Sequence, residues 1–441
     1  MCSVGALVRV GYVLVFRADA PIGYGDANAY SAGADLLAGG HGFVEPMAVL
    51  GGLPAETANH PPLYLLWLTV ASVVVPGHST SQVVHMLWSC VPGTATVVLC
   101  GLIARRLAGD RAGIVAAALA AVYPNLWVHD GMLLAETLAA CTITLTLWSS
   151  YRFWDRPTGG RVAWLGLCCG LAALSRSELV LTVPLLLVPL VLMVRGPALR
   201  QRIGLAALGA LASIAVISPW VAYNASRFDA PVYLSTNAGG ASAAANCDST
   251  YYGHLIGYKD YGCADETYDR VAARTPDWDR LDVAQKDQLV RAEVSHYIRD
   301  HAERLPVVVA ARVGRLLKVY GVGQEITYDT KLHGQEPWVV GSGLVAWYAL
   351  APLAVAGAVI LRRRGVLTYP LVATAVIVFA SVAVTFAQTR YRAPAEPAVV
   401  MLAAVAIETA WARRRTRPAP AEATADLGDH ATLPTQLPLH V

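Results

Sequence analysis

Residues 82–106 read QVVHMLWSCVPGTATVVLCGLIARR, an apolar run that ends in two arginines. The run is longer than the ~20 residues that a helix needs to cross a bilayer. The whole chain shares this character, because 55% of its 441 residues are hydrophobic and only 15% are charged. Soluble domains carry about 25% charged residues, so the composition predicts a polytopic membrane protein. The net charge of +3 is small and does not indicate nucleic-acid binding.

Segments of this kind predict an all-α fold with about ten transmembrane helices. They cover residues 4–16, 82–104, 112–129, 132–150, 162–175, 179–194, 203–222, 341–361, 366–386 and 396–411. The first segment is short and contains Arg9. Either the true start of the protein lies upstream, or this helix lies partly in the membrane interface.

The arginines sort by position, and this sorting predicts the orientation of the chain. When ten spans are counted, the clusters at the ends of apolar segments all fall on one face. They are Arg105-Arg106, Arg152/Arg156/Arg161, Arg195/Arg200/Arg202, Arg362-Arg363-Arg364 and Arg413-Arg414-Arg415. The positive-inside rule assigns that face to the cytoplasm. We therefore expect a cell-membrane protein with cytoplasmic termini and an active site that faces outside.

The first outer loop, residues 17–81, is predicted to hold two helices that lie along the membrane surface. Residues 61–75 are apolar but short, and counting them as a span would place Arg105 and Arg106 outside. An interfacial helix avoids that conflict. The earlier helix is predicted over residues 27–37, where apolar side chains recur along one side.

Residues 223–338 form a large hydrophilic stretch, which we predict to be a mostly helical outer loop with helices over 283–303 and 306–320. If this loop is extracytoplasmic, a disulfide between its Cys247 and Cys263 is favoured. The chain then divides into an N-terminal transmembrane catalytic module (1–222), this loop region, C-terminal transmembrane helices (339–412) and a disordered cytoplasmic tail (413–441).

Asp26 directly follows the first predicted span, in the sequence GYGDANAY at residues 23–30. Partial desolvation at the membrane surface would raise the pKa of this carboxyl group and make it a better general base. The alternative is that Asp26 caps the helix that begins beside it. The two roles are compatible.

His60 opens the second interfacial helix, directly before Pro61 and Pro62. Prolines are tolerated in a first helical turn and fix the start of the helix. A histidine at that start is placed to meet an anionic group at headgroup depth. A simple helix-start turn is the alternative.

Acidic residues flank the start of the fourth predicted span, and an Arg-x-Glu turn joins the fifth and sixth. Glu136 lies inside apolar sequence, where an acid is costly and therefore indicates a functional site. Arg176 and Glu178 form the turn and are expected to pair with each other or with Asp130 and Glu136. A structural ion network and a substrate site both fit this pattern.

The last predicted outward turn reads QTRYRAPAEP at residues 388–397. Arg390 and Arg392 surround Tyr391, and Glu396 begins the next span. Arginines on the outer side run against the positive-inside trend. Their planar donors match phosphate oxygens, so we predict a phosphate site here. Anchoring to lipid headgroups is the alternative.

In this order, the motifs resemble those of the GT-C superfamily of integral membrane glycosyltransferases. The closest likeness is to the family 39 branch, with the protein O-mannosyltransferases and the lipid A aminoarabinose transferases, over residues 5–411. The resemblance implies a sugar donor on polyprenyl phosphate and inverting attack by an acceptor hydroxyl of a protein, lipid or glycan. It also implies that Asp26 is the catalytic carboxylate and that His60 helps to hold the donor phosphate.

Arginines at positions 176, 390 and 392 would offset the charge of the leaving phosphate. Asp130, Glu136, Glu178, Tyr391 and Glu396 would form a supporting polar network. Many relatives have Asp-Glu in the first loop, whereas this chain has Asp26-Ala27, which removes one ligand from any metal site there. The sequence does not establish any cofactor, and a divalent metal is compatible with it.

The chain has no nucleotide-phosphate loop, zinc-ligand spacing or catalytic-serine motif, so its donor must be reachable from outside the membrane. The main alternative function is a transporter or flippase, because intramembrane acids and arginines also mark translocation paths. A second alternative is an inactive subunit that binds a partner through residues 223–338. Charges clustered at the outer face, rather than at the midplane, favour the transferase.

Overall fold

A computed structural model describes residues 1–22, 25–52, 55–75 and 81–415. Within these ranges the chain is helical, and its extended pairing is limited to an isolated bridge between Val44 and Glu56. The predicted all-α class is confirmed. The predicted tail lies outside the described residues from 416 onward, whereas residues 413–415 still belong to a helix.

The first half of the chain contains the predicted juxtamembrane helices and seven of the predicted spans. Its helices are α1 (Cys2–Tyr12), α2 (Asp26–Ala38), α3 (Pro46–Leu50), α4 (Leu63–Val74), α5 (Ser81–Ala108), α6 (Asp110–Val122), α7 (Pro124–Trp127), α8 (Glu136–Asp155), α9 (Gly159–Ser175), α10 (Val188–Met193) and α11 (Leu199–Ala225). A π-helical turn (Val13–Arg17) extends α1, and two irregular helical turns (Ser177–Leu181 and Val183–Leu187) precede α10.

The second half contains the large loop region and the last helices. These are α12 (Ala238–Ala245), α13 (Asp248–Tyr251), α14 (Tyr261–Arg274), α15 (Val283–Asp300), α16 (Leu305–Leu316), α17 (Val322–Lys331), α18 (Pro337–Arg363), α19 (Tyr369–Val384) and α20 (Glu396–Arg415). The predicted helices over 283–303 and 306–320 correspond to α15 and α16. Ala243, Val271, Val290 and Val294 give α12, α14 and α15 a small apolar core of their own.

Among the described residues, three helices are long and apolar enough to cross a membrane, namely Gln82–Ala108 in α5, α11 and α18, with 27 residues each. A fourth is added if α6 and the segment Pro124–Met132 count as one span bent by 69°. The other predicted spans are helices that are shorter or interrupted. The number of ten spans therefore stays a prediction.

The bend after α6 lies at Tyr123 and Pro124. Proline lacks a backbone N–H and disfavours a helical conformation in the residue before it, and Tyr123 accordingly has an extended backbone. A 3₁₀ turn and a left-handed Leu133, with φ of 51°, follow before α8 begins at Glu136. Irregular backbone at membrane depth is tolerated where protein buries it, and this stretch is buried.

Glycines let neighbouring helices touch backbone to backbone. A Cβ added at Gly166 in α9 would lie 2.0 Å from the carbonyl oxygen of Gly209 in α11. A Cβ added at Gly357 in α18 would lie 1.9 Å from the carbonyl oxygen of Leu402 in α20. Small residues at such crossings are typical of membrane helices. They hold α9 against α11 and α18 against α20.

Helix α8 separates two polar ends of the helical body. Glu136 is its first residue, and Asp155, its last residue, pairs with Arg106 at the end of α5. A helix of 20 residues is about 30 Å long. The basic end and the acidic end are therefore well separated, which agrees with the sorting of charges in the sequence. The membrane orientation itself stays a prediction.

Candidate active site

Asp26 begins α2, and its carboxylate contacts other parts of the chain. Gly25, with φ of 102°, occupies the N-cap position, and no side-chain hydrogen bond caps the helix. Asp26 Oδ2 accepts a hydrogen bond from Arg390 Nη1 at 2.7 Å, and Oδ1 lies 3.5 Å from His60 Nε2. The Asp26 side chain remains 31% exposed. The structure thus brings three predicted site residues together, and the capping alternative is wrong.

His60 is positioned by aromatic rings. Its imidazole stacks on Tyr30 of α2 with ring centroids 4.8 Å apart, and Tyr30 meets the ring of Tyr64 edge-on at 4.9 Å. The predicted helix over residues 61–75 is present as α4, but it begins at Leu63, directly after the two prolines. Because α2 and α4 both contribute a ring, they hold the imidazole beside Asp26.

Arg227 fastens the loop before His60 to the end of α11. Its guanidinium donates hydrogen bonds to the carbonyl oxygens of Phe43 at 3.1 Å and Thr57 at 3.3 Å. It also lies over the ring of Tyr223, 4.3 Å from the centroid. Arg227 therefore fixes the loop before His60 at two points, Phe43 and Thr57.

Arg390 lies in the 3₁₀ turn Thr389–Arg392 between α19 and α20, and it joins Asp26 to Glu136. Its Nε is 3.7 Å from Glu136 Oε1. Arg176 Nη1 donates to the same Glu136 oxygen at 2.5 Å, and Arg176 Nε donates to Glu178 at 2.5 Å. We call Asp26, Arg390, Glu136, Arg176 and Glu178 the site cluster. Acidic and positively charged side chains alternate along it.

The charges of the site cluster control the ionisation of its exposed end. Burial alone would raise the pKa of the Asp26 carboxyl, but Arg390 and the nearby His60 outweigh it and hold that pKa well below its usual range. The carboxylates likewise outweigh burial and raise the pKa of Arg390. The predicted rise in the pKa of Asp26 is therefore wrong. Its partner Arg390 is 364 positions away in the chain, which local sequence cannot reveal.

Tyr391 lies between the two arginines of the site cluster. The guanidinium of Arg176 is 4.8 Å from the centroid of its ring, and that of Arg390 is 5.5 Å away. Burial raises the pKa of the Tyr391 hydroxyl to about 12. The ring therefore packs the arginines in place as a neutral group.

Asp130 lies apart from the site cluster and pairs with Arg9 of α1. Arg9 Nε is 3.0 Å from Asp130 Oδ2, and both side chains are fully buried. Thr137 donates a hydrogen bond of 2.7 Å to the other Asp130 oxygen. Gly93 of α5 faces this sealed pair, because a Cβ there would lie 2.5 Å from Arg9 Nε and 2.6 Å from Asp130 Oδ2. This contact favours a structural role for Asp130 and gives Arg9, the odd residue of the first span, a partner.

Arg392 and Glu396 also pair with each other away from the site cluster. Arg392 Nη1 donates to the carbonyl oxygen of Leu316 at 2.9 Å, and the guanidinium lies 3.5 Å from the centroid of Trp347. Glu396 accepts a hydrogen bond of 2.9 Å from the Tyr123 hydroxyl. Arg392 is predicted from sequence to bind phosphate, but these contacts favour a structural clamp between α16, α18 and α20.

Lys259 is a residue that the sequence analysis did not single out. It is 5% exposed, its Nζ donates to the Tyr261 hydroxyl, and the rings of Tyr328 and Phe386 lie 4.9 and 5.2 Å from Nζ. None of the ion pairs among the described residues includes it. Burial and the nearby Arg390 lower its pKa to about 7. One signal was available, since only four of the 34 basic residues are lysines and all four lie in the loop region.

The segment that carries Lys259 is fixed at several points. A disulfide joins Cys247 and Cys263 on either side of it. Gly257, with φ of 72°, accepts a hydrogen bond from the backbone of Ala387 at 3.3 Å, and a Cβ there would lie 2.7 Å from the backbone nitrogen of Arg312. The large loop is thus packed against the residues just before Arg390.

Helix α17 holds the turn that carries Arg390. Glu325 Oε2 accepts hydrogen bonds from the backbone nitrogen of Thr389 at 3.1 Å and from Lys318 Nζ at 3.0 Å. Asp329 accepts a hydrogen bond of 2.9 Å from the Thr389 hydroxyl. These anchoring acids were also missed, because α17 reads as an ordinary amphipathic segment of the loop.

The side chains around Asp26 do not form a cation site of the kind that the resemblance allows. In the described ranges, no group of three or more His, Cys, Asp or Glu side chains is placed to hold a metal ion. Ala27 follows Asp26 where many relatives have a second acid. The described residues around Asp26 therefore do not fit a metal centre.

The all-helical body gathers an acid, a histidine and arginines at one end, and the family and folds that it resembles are those of GT-C membrane glycosyltransferases. Residues 59–223 match the family described as dolichyl-phosphate-mannose-protein mannosyltransferase. The fold is similar to that of the archaeal oligosaccharyltransferase AglB from Archaeoglobus fulgidus, solved in complex with an inhibitory peptide and a dolichol-phosphate. That alignment covers 93% of this chain and 50% of the other, with a TM-score of 0.55 and 16% sequence identity.

The Archaeoglobus fulgidus oligosaccharyltransferase in complex with Zn and sulfate aligns with 94% of this chain at a TM-score of 0.55 and 14% identity, over 49% of its own length. This chain thus spans about half of that enzyme. ArnT from Cupriavidus metallidurans, bound to undecaprenyl phosphate, aligns with 92% of this chain and 77% of its own at a TM-score of 0.46 and 16% identity. No curated protein matches the sequence. The predicted resemblance to GT-C enzymes is confirmed.

Proposed function

We propose that this chain is a membrane glycosyltransferase that moves a sugar from a polyprenyl-phosphate donor to an acceptor hydroxyl on the extracytoplasmic face, with inversion. The observation that carries the proposal is the exposed end of the site cluster. There, Asp26 is within hydrogen-bond distance of Arg390 and close to His60. The first outer loop and the last turn between predicted spans build this end together.

Asp26 acts as the general base. An inverting glycosyltransfer needs a carboxylate that takes the proton of the attacking hydroxyl on the face of the sugar opposite to the leaving group. A carboxylate with a low pKa is a weak base, so it accepts the proton late, once the hydroxyl oxygen has begun to bond to the anomeric carbon and has become acidic. Arg390 keeps the carboxylate ionised and oriented until then.

Lys259 and His60 bind the donor phosphate. A phosphate leaves more easily when preorganised cations or donors offset its growing charge. Arg176 already bonds two carboxylates, whereas Lys259 is a buried cation that pairs with no acid among the residues that the structure describes. This difference favours Lys259 over Arg176 and Arg392 as the phosphate ligand. Arg176 then serves to hold Glu136.

Helix α4 provides an apolar surface for the lipid part of the donor. Leu66, Val70, Val73 and Val74 are exposed by 43 to 72%. This spacing places them along one side of the helix, as a helix in the membrane interface requires. Beside it, a small cleft lined by Phe43, Glu45 and Asn59 borders His60 and has room for the reacting hydroxyl group of a protein, lipid or glycan acceptor.

The test is transfer from radiolabelled polyprenyl-phosphate sugars by the purified protein and by Asp26→Asn. Loss of a general base lowers the rate by about 10²- to 10⁴-fold, and the variant should remain folded because Arg390 keeps Glu136 as a partner. Asp110→Asn, which alters an exposed carboxylate paired with Arg105, is the matched control and should keep full activity. Asp26→Asn with wild-type turnover would contradict the proposal.

The same labelled donors in liposomes test the transporter alternative. Convergence of Asp26, His60 and Arg390 at one end of the helical body supports the transferase, because transport requires access from both sides. Movement of the intact donor across the bilayer without transfer of its sugar would favour a flippase instead.

A further inference from the structure

Arg390 occupies the kind of position that a bridging cation takes in a metal-dependent site. Its Nη1 is 2.7 Å from Asp26 Oδ2, and its Nε is 3.7 Å from Glu136 Oε1. One guanidinium therefore lies between the acid of the first loop and the acid at the start of α8. Divalent cations in proteins are held by carboxylate oxygens in the same way.

The electrostatics of the site cluster leave no place for an added dication. Glu136 already faces both Arg390 and Arg176, and the other Asp26 oxygen faces His60 at 3.5 Å. Three carboxylates and two guanidiniums give the cluster a formal charge of −1. A divalent ion would have to displace a guanidinium or approach within a few ångströms of one, where like charges repel strongly.

We propose that Arg390 is the built-in cation of this site, which orients Asp26 in place of a divalent metal, so that glycosyl transfer by this chain needs no metal. The inference rests on the proposed function. Arg390 is a positioning residue, since it acts on the acceptor through Asp26.

The structure preorganises Arg390 for that role. The preceding Thr389 is held by Glu325 through its backbone nitrogen at 3.1 Å and by Asp329 through its hydroxyl at 2.9 Å. The ring of Tyr391 packs against its guanidinium. A cation fixed in this way needs no reorganisation when the acceptor arrives, which is the property that makes preorganised charges effective in catalysis.

The first experiment measures transfer after EDTA treatment and after addition of Mg²⁺ or Mn²⁺. Wild-type activity should stay within about twofold in all three conditions, because the arginine supplies the charge. Arg390→Ala should lose activity, and Mn²⁺ should restore it roughly tenfold or more, since Asp26 and Glu136 then face an empty position between them. Loss of wild-type activity in EDTA with recovery in Mg²⁺ would overturn the inference, whether or not Arg390→Ala folds.

The second experiment reads metal binding directly by electron paramagnetic resonance of Mn²⁺ in detergent. Wild-type protein should bind none at the site, Arg390→Ala should bind one ion, and Arg390→Ala with Asp26→Asn should lose it. Arg106→Ala, which frees the single carboxylate of Asp155 at the other end of α8, is the matched control and should create no site. Wild-type protein that binds Mn²⁺ in a manner abolished by Asp26→Asn would contradict the inference.

The two experiments separate this inference from the proposed function. If no polyprenyl-phosphate sugar is transferred under any condition, the proposed function fails. The Mn²⁺ measurements still decide whether a guanidinium or a metal occupies the position between the two carboxylates.

Discussion

The site cluster and the sealed pair of Arg9 and Asp130 are built from the same residue types and differ in how their charges are satisfied. In the sealed pair, one acid meets one arginine and both are fully buried. In the site cluster, each arginine touches two acids, and the Asp26 end remains 31% exposed. The first arrangement holds helices together, whereas the second keeps an ionised carboxylate available at an open surface.

The difference shows why a charge in apolar sequence is ambiguous before its partners are known. Asp130 and Glu136 are six positions apart and equally buried, yet Asp130 contacts α1 and Glu136 contacts the turns that carry Arg176 and Arg390. Burial of a charge requires a partner in both cases. The two differ because the site cluster ends in the partly exposed Asp26 carboxylate, whereas the sealed pair is fully buried.

Breaking the sealed pair should have the largest effect on stability. Arg9→Met leaves the Asp130 carboxylate buried without a cation, which typically costs about 3–5 kcal/mol in the free energy of unfolding. The double variant Arg9→Met with Asp130→Leu removes both charges and should recover most of that loss. Unfolding in mixed detergent micelles measures both. A double variant no more stable than Arg9→Met would contradict a purely structural pair.

Breaking the site cluster at its centre should cost less. Glu136→Gln leaves Arg176 paired with Glu178 and Arg390 paired with Asp26, so neither guanidinium loses its last acid. We expect a loss of about 1.5–3 kcal/mol, the usual contribution of hydrogen bonds to charged groups. The same unfolding measurement gives the comparison with Arg9→Met. A larger loss for Glu136→Gln than for Arg9→Met would show that the remaining acidic partners of Arg176 and Arg390 do not compensate for the loss of Glu136.

The sequence predicted helices and local motifs well because they depend on nearby residues. Apolar patterns and the prolines after His60 predicted the positions of α2 and α4. Local motifs also singled out Asp26, His60, Glu136, Arg176 and Arg390 as candidate site residues. The break after α6 was missed, although Pro124 was visible, because a continuous apolar pattern hid it.

Partners that are distant in the chain could not be predicted. Arg390 and Asp26 are 364 positions apart, and their contact reverses the pKa shift expected for Asp26. The sequence offered no partner for Arg9 in the first predicted span, and the structure shows that it pairs with Asp130. Arg392 and Arg390 look alike in sequence, and only the packing of α16 and α18 against Arg392 separates their roles.

Lys259 offers the test with the smallest expected effect. Within the described part of the chain it is a buried cation without an acidic partner, unlike the arginines of the site cluster and of the sealed pair. With a pKa of about 7, the free ammonium loses its proton as pH rises through neutrality, and a neutral amine binds an anion weakly. A sugar-linked polyprenyl phosphate is a diester that does not titrate in this range. Donor affinity should therefore fall by up to about tenfold, or ~1.4 kcal/mol, per pH unit above neutrality.

Binding of the labelled donor between pH 6 and 8.5 measures this slope, and three variants assign it. Lys259→Gln should bind weakly at every pH, and Lys259→Arg should bind with little pH dependence because arginine stays charged. His60→Gln must keep the slope, since His60 is the other basic group that faces the donor. Charged and titratable neighbours of Lys259, namely Tyr261, Tyr328, Arg390, Asp26, Glu325 and Glu136, are unchanged in these variants. A slope that persists in Lys259→Arg would assign it to one of those neighbours and remove Lys259 from the phosphate site.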